Sequence, residues 1–201
     1  MNLKNKITTL AAGFMLTSLS FGQTTKSATD YLGLAKSISF NNVSYNLTWT
    51  SHPTDNYYKQ EYIAENDNID KFKRLITIDV LVGNIKIKDA VASKIEELEK
   101  IKATNPIVNY QIFEKDDEIM LEFLLSQNTP DGKNINIVEQ NVYRYKTTKD
   151  KNGQTALLLF AVSDRGYEND IQKFFANLKQ QRSDLLNAVG TFEIPEITIA
   201  K

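Results

Sequence analysis

Four polar residues in this 201-residue chain pose the first chemical question: Glu122, Glu139, Asn141 and Asp164. They lie in the stretches "EIMLEFLLSQN", "NINIVEQNVYRYKTT" and "TALLLFAVSDRG", which are separated by "PDGK" and "KNG". Asp-Gly and Asn-Gly are the dipeptides that two-residue type I′ hairpin turns favour, because both central residues need positive φ. With Asp131-Gly132 and Asn152-Gly153 as turn centres, Glu122 faces Asn141 and Asn141 faces Asp164. That is a polar row across three strands, with Glu139 beside it on the same face. Directly opposed Cβ atoms lie about 4.5–5.5 Å apart, so the oxygens of such a row would converge on a cation or a small polar ligand. The competing reading is ordinary solvation of carboxylates at strand ends. A single bulge would also shift the register by one and dissolve the row. Paired carboxylates serve glycoside hydrolysis too, but nothing else in the sequence suggests a sugar cleft.

A second candidate is aromatic. Tyr45, Trp49, Tyr57, Tyr58 and Tyr62 crowd into two neighbouring stretches, and Trp49 and Tyr58 are the candidate contact residues. Side chains of this kind, apolar with a polar tip, present a binding face to a protein, a peptide or a sugar. The same pattern arises from the strand propensity of aromatics on the half-exposed side of an edge hairpin.

Most catalytic machinery is missing. The chain has no cysteine and a single histidine, His52, so there is no Cys/His pair and no two-histidine metal site. His52 lies beside Pro53, where local hydrogen bonding in a turn accounts for it. No nucleophile elbow, dinucleotide fingerprint or P-loop occurs. "ENDNID" lacks the glycine and glutamate spacing of a calcium loop. These absences imply a protein that is not an enzyme and needs no cofactor or resident metal. Removing residues 1–22 takes away Lys4 and Lys6 and leaves a formal charge of −3. No basic face remains, which argues against nucleic acid as a partner.

The elements that must position these residues follow from periodicity. "VSYNLTWT" alternates with period two and reads as a strand, ended by "SHPTDN"; "YYKQEYI" reads as its partner and "RLITIDVLVG" as a third, nearly continuously apolar strand. "KDAVASKIEELEKIKATNP" places Val91, Ile95 and Leu98 on one helical stripe, with Asp89 as the expected N-cap. A meander of four strands follows from "IVNYQIFE" to "TALLLFAVS". "ENDIQKFFANLKQQRSDLLNAVG" then forms a long helix with Gly190 at its expected C-terminal stop, and "TFEIPEITIA" is extended. "YLGLAKSISF" fits either a short helix or an irregular extended piece. In "TALLLFAV", Leu157, Leu159 and Ala161 point one way and Leu158, Phe160 and Val162 the other. A strand apolar on both sides is covered on both sides, so the expected fold is α+β, an antiparallel sheet flanked by helices on both faces.

The start, "MNLKNKITTLAAGFMLTSLSFGQ", has two lysines followed by an apolar core from Ile7 to about Leu19. That is the pattern of a secretory signal peptide, and the core is shorter than the roughly 20 residues of a membrane span. The expected organisation is a signal peptide at 1–22, a flexible or irregular leader at 23–40 and one α+β domain at 41–201. The mature chain would have no membrane span and would be periplasmic, with release outside the cell as the alternative.

The element order, together with "YYKQEYI", "RLITIDVLVG" and its following helix, and "NVYRYK…ALLLFAVSDRGYENDIQKFF", resembles the PsbP/Mog1-like α/β/α sandwich of DcrB-type periplasmic proteins. The resemblance is one of layout and covers most of 45–189. It implies a noncatalytic accessory role with another envelope protein as partner. A small-ligand or cation-binding protein that uses the cross-strand polar row is the alternative expectation.

Overall fold

Eight stretches with strand patterning pair into one antiparallel sheet in the computed structural model, which describes residues 28–199. The expected signal peptide lies outside the described residues. The strands are β1 (Ser37–Phe40), β2 (Val43–Thr54), β3 (Tyr57–Ala64), β4 (Arg74–Val82), β5 (Asn109–Lys115), β6 (Glu118–Asn128), β7 (Ile135–Lys149) and β8 (Thr155–Tyr167). Helix α1 (Ile87–Lys102) follows β4, and α2 (Ile171–Thr191) follows β8 through a short 3-10 turn. The strand order is β1-β2-β3-β4-β8-β7-β6-β5, so the fold is α+β and mostly strand.

The last strand therefore lies inside the sheet, hydrogen-bonded to β4 on one side and β7 on the other. Its sequence requires this: a strand without a polar side finds solvent at an edge but apolar cover in the middle. Its neighbouring residues divide between two apolar clusters. Ala156, Leu158, Phe160 and Val162 join Val142, Ile76, Ile78, Tyr62 and the α2 residues Leu185 and Val189. Leu157 and Ala161 join Tyr143, Tyr145, Phe123, Leu121 and the α1 residues Ala90, Val91 and Leu98. The two sides of the sheet are called here the Val142 face and the Tyr143 face.

Several local expectations are corrected. The segment read as a leader carries β1 and buries Leu32, Leu34, Ile38 and Phe40 in the first cluster. Gln60, itself fully buried, anchors it: its Oε1 accepts from the backbone N–H groups of Tyr31 and Leu32, and its Nε2 donates to the Tyr62 hydroxyl. Strand β2 runs on through Pro53 to Thr54, with register shifts absorbing the irregularity. Helix α1 starts one turn earlier than expected, with Lys86 as N-cap and Asp89 in the first turn, where a carboxylate suits the positive end of the helix dipole. Helix α2 passes through Gly190 and ends at Thr191. Arg144 closes that end by donating from Nη1 to the carbonyls of Val189 and Phe192.

The two meander turns also differ from expectation, and the difference moves side chains. Thr129 and Asn134 close the first loop, where Asn128 pairs with Ile135 as an Asp-Gly centre requires. A bulge between Gln127 and Asn128 then shifts every later pair by one. The second connection is a three-residue loop, Lys151-Asn152-Gly153, between Asp150 and Gln154, with Gly153 at φ 81°. This is the longer hairpin loop that ends in a left-handed residue rather than the two-residue form. The turn with two positive-φ centres is Asn41-Asn42, at 49° and 62°, between β1 and β2.

Two glycines predict opposite outcomes. A Cβ built on Gly166 of β8 would lie 3.0 Å from the Phe174 ring and 3.1 Å from its Cβ on α2. That main-chain-proximal contact cannot swing aside, so Gly166→Ala is expected to lower unfolding free energy by about 1–3 kcal/mol. A Cβ on Gly190 meets only the mobile end of Met120, at 3.3 Å. Gly190→Ala is therefore expected to gain up to about 1 kcal/mol of helix propensity. Urea unfolding of the two variants checks both signs.

Candidate functional site

The polar row expected from the turns does not form, because the bulge and the three-residue loop each move the register by one. Glu122 pairs with Val142, Asn141 with Phe123 and Ser163, and Asp164 with Gln140. Glu122 and Asp164 fall on the Val142 face, and Glu139 and Asn141 on the Tyr143 face. Each is already engaged by protein. Arg182 on α2 donates to Glu122, which also accepts from Gln140 Nε2 at 3.4 Å. Arg74 binds Asp164 through two bonds of 2.5 and 2.6 Å. Arg165 donates to Glu139 and lies over the Phe72 ring at 4.1 Å. Ser163 donates to Asn141 Oδ1 at 2.6 Å, while Asn141 Nδ2 is buried without a partner. These pairs tie strands and a helix together; they do not converge on one point.

The aromatic candidates separate as well. Tyr58 is in the core on the Val142 face, with His52 stacked on it at 4.1 Å. Tyr45 and Tyr62 are core residues of the same cluster. Trp49 stays exposed, at 37%, and is cross-strand partner to Glu61. Strand β2 thus turns Tyr45 to the core and, past the register shift between Leu47 and Trp49, turns Trp49 to the other side.

Around Trp49 the register assembles a constellation that the sequence reading missed. Trp49, Glu61, Thr77, Ala161 and Tyr143 form one row across five strands; Ser51, Lys59, Asp79, Leu159 and Tyr145 form the next. Both rows lie on the Tyr143 face. Helix α1 packs chiefly on β6 and β7, at the Tyr143 end of these rows and four strands from Trp49 on β2. There Lys94 and Glu97 form an ion pair of 3.0 Å, while on β3 Lys59 and Glu61 form one of 3.1 Å. All four side chains are largely withdrawn from water, between 10% and 21% exposed.

Asp79 is the cross-strand partner of Lys59. Its Oδ1 is buried with no hydrogen-bond partner. Burial pushes its carboxyl pKa up from 3.8 to about 6; the Glu61 charge adds to this, while Lys59 and the Tyr57 hydroxyl oppose it. The same environment acts on the neighbours. Burial and then the Asp79 charge raise the Tyr57 phenol. Burial pulls the Lys59 ammonium down, but Asp79 and Glu61 outweigh it and leave Lys59 above its ordinary value. At Lys94 burial wins over Glu97 and Glu139, and the ammonium is lowered. The arrangement presents an exposed aromatic plate beside the Lys59–Glu61 ion pair, and in the next row it buries an acceptor, Asp79 Oδ1, without a donor. The signals in the sequence were Asp79 inside an otherwise apolar strand and Lys59 and Glu61 alternating with tyrosines. A charge in such a position is held there against its desolvation cost. Among the described residues no group of three or more metal-ligating side chains is present.

The raised carboxyl sets a pH dependence. Between about pH 4 and 6 the folded protein keeps a proton on Asp79 that the unfolded chain has released. Stability therefore falls as pH rises through that window and levels off above it. The wild type is expected to lose on the order of 2 kcal/mol from this group across the window. Asp79→Asn, which mimics the neutral form, should remove the fall and be the more stable protein at pH 7. Denaturant unfolding at pH 4, 5, 6 and 7 reads the difference. Trp49 fluorescence should be red-shifted and quenched by iodide in the same samples, as its exposure requires.

No curated protein and no solved structure matches the chain. A protein-family model matches residues 32–194, from the first buried leucine of the N-terminal segment to just beyond α2, and the chain belongs to that family.

Proposed function

We propose that this protein is an exported, noncatalytic accessory protein that binds another protein of the bacterial envelope through the open part of the Tyr143 face. The observation that carries the reading is Trp49, exposed beside Glu61 and its ion pair with Lys59. Aromatic anchors next to charges held in place are what protein interfaces concentrate their affinity on. Prepaired charges also suit a partner better than a point ion does, because each already has its countercharge. The lysines and apolar core of residues 4–19 support export to the periplasm. Among the described residues no helix is long and apolar enough to cross a membrane.

The layered reading supports the same role. With Leu185 and Val189 of α2 in one cluster and Ala90, Val91 and Leu98 of α1 in the other, we take the helices to cover opposite faces. That is the α/β/α layout of PsbP/Mog1-like proteins. The second reading is a small ligand that donates a hydrogen bond, and the unpartnered Asp79 Oδ1 favours it. A cation held by Glu122, Asn141 and Asp164 loses its support, since those residues face different ways.

Photo-crosslinking in intact cells tests the proposal, with the reactive side chain placed at Trp49, at Ser51 and, as a control, at the exposed Val43. A discrete adduct from positions 49 and 51 that Glu61→Lys abolishes is the expected result. Equal labelling from position 43, or no adduct from any site, overturns it. In that case stabilisation of the wild type, but not of Asp79→Asn, by a small ligand would establish the second reading.

A further inference from the structure

The two edges of the sheet are treated differently. On one side β1 covers only Val43–Asn46 of β2. The rest of β2 is closed to strand addition by Pro53 and by register shifts between Leu47 and Trp49 and between Ser51 and Thr54. Proline, bulges and short edge strands are the means by which proteins prevent sheet edges from pairing. On the other side β5 is a regular seven-residue strand, in continuous register with β6 from Asn109 to Lys115. It has no proline and no bulge, and it presents Ile112, 44% exposed, and Phe113, 36% exposed, on opposite faces. A regular, uninterrupted edge strand with two exposed apolar residues at its centre, opposite an interrupted edge, leaves β5 open to pairing.

The strand is self-complementary. Placed antiparallel to a second copy about Ile112, it sets Ile112 against Ile112, Gln111 against Phe113, Tyr110 against Glu114 and Asn109 against Lys115. No like charges meet, and the apolar residues occupy the centre. Cross-strand pairs of these kinds are the stabilising unit of a sheet. Centring on Phe113 instead would set Glu114 against Ile112 and Lys115 against Gln111, leaving the apolar residue opposed by a charge. We propose that the protein forms a two-fold dimer by antiparallel pairing of β5 with β5 of a second copy, which joins the two sheets into one. The dimer leaves the face around Trp49 free, so the inference stands independently of the proposed function.

A single seven-residue strand pair is smaller than a standard interface, and association is expected to be weak. Sedimentation of the purified protein from roughly 1 to 500 μM should show a reversible shift from monomer to dimer. Ile112→Lys, at a surface position that does not disturb the core, should abolish the shift while leaving the thermal unfolding midpoint unchanged. Because the chain has no cysteine, crosslinking gives the register. Ile112→Cys should form a disulfide-linked dimer under mild oxidation, since the axis brings the two Cβ atoms together. Tyr110→Cys should not, since its copies lie too far apart for the bond. A monomer at every concentration overturns the proposal, as does a dimer that survives Ile112→Lys. Equal crosslinking of the two cysteine variants would also overturn it, because the copies would then not meet about Ile112.

Discussion

Strand β8 cannot be wetted on either side, and most of the architecture follows from that. Its odd and even residues enter different clusters, so it needs a sheet neighbour on each edge and apolar cover on each face. The chain meets this by building β1–β4 on one flank and β5–β7 on the other, then closing the sheet with the last strand. Asp164 near the end of β8 is held by Arg74 at the start of β4, 90 residues away. Until β8 is in place, neither half has a complete core. Contacts of such long sequence separation carry loop-closure entropy before they gain anything. β7 and β8 pair across a three-residue loop, so the long-range step of assembly is the pairing of β4 with β8.

The charged residues show how a sheet of mixed polarity stays single-valued. On the Val142 face, Glu122 with Arg182 and Asp164 with Arg74 fix the angle of α2 and the junction of β4 with β8. Each pair loses solvation and regains it only in one geometry. On the Tyr143 face Lys59 and Glu61, beside Trp49, are paired within β3. Lys94 pairs with Glu97 within α1 and also lies over the Phe123 and Tyr143 rings at 5.3 and 5.8 Å, which ties the helix to β6 and β7.

Periodicity made the elements legible, and turn chemistry did not make the register legible. The alternation of "YYKQEYI", the apolar run of "RLITIDVLVG" and the helical stripes at Val91 and Leu98 or Leu185 and Val189 corresponded to real elements with the expected core residues. β1 was not legible, because four alternating residues in "SISF" are too few to distinguish a strand from a loop. The site candidates failed for a sharper reason. Period-two side-chain direction makes residue assignment all or nothing. One bulge at Gln127 and one extra loop residue at Lys151 turned a row of three into pairs on two faces. The constellation at Asp79 was hidden because its members come from β2, β3 and β4. The sequence carried only its symptom, a lone carboxylate in a run of isoleucine, valine and leucine.

The C-terminal tail brings the two ends of the domain together. Ile197 and Ile199 are buried in the same cluster as Leu32 and Leu34, and the Thr198 N–H donates to the Leu32 carbonyl at 2.7 Å. The ends of the described fold are thus neighbours bound across one backbone contact. The order in which the strands are written along the chain is then a matter of history rather than of structure. A covalent link from the tail to the N-terminal segment would span only a short gap. New ends opened in the exposed Asp131-Gly132 loop would leave every pairing of the sheet intact. Such a circularly permuted chain would enter the same fold with β8 made early instead of late, separating the stability of this sheet from the order of its assembly.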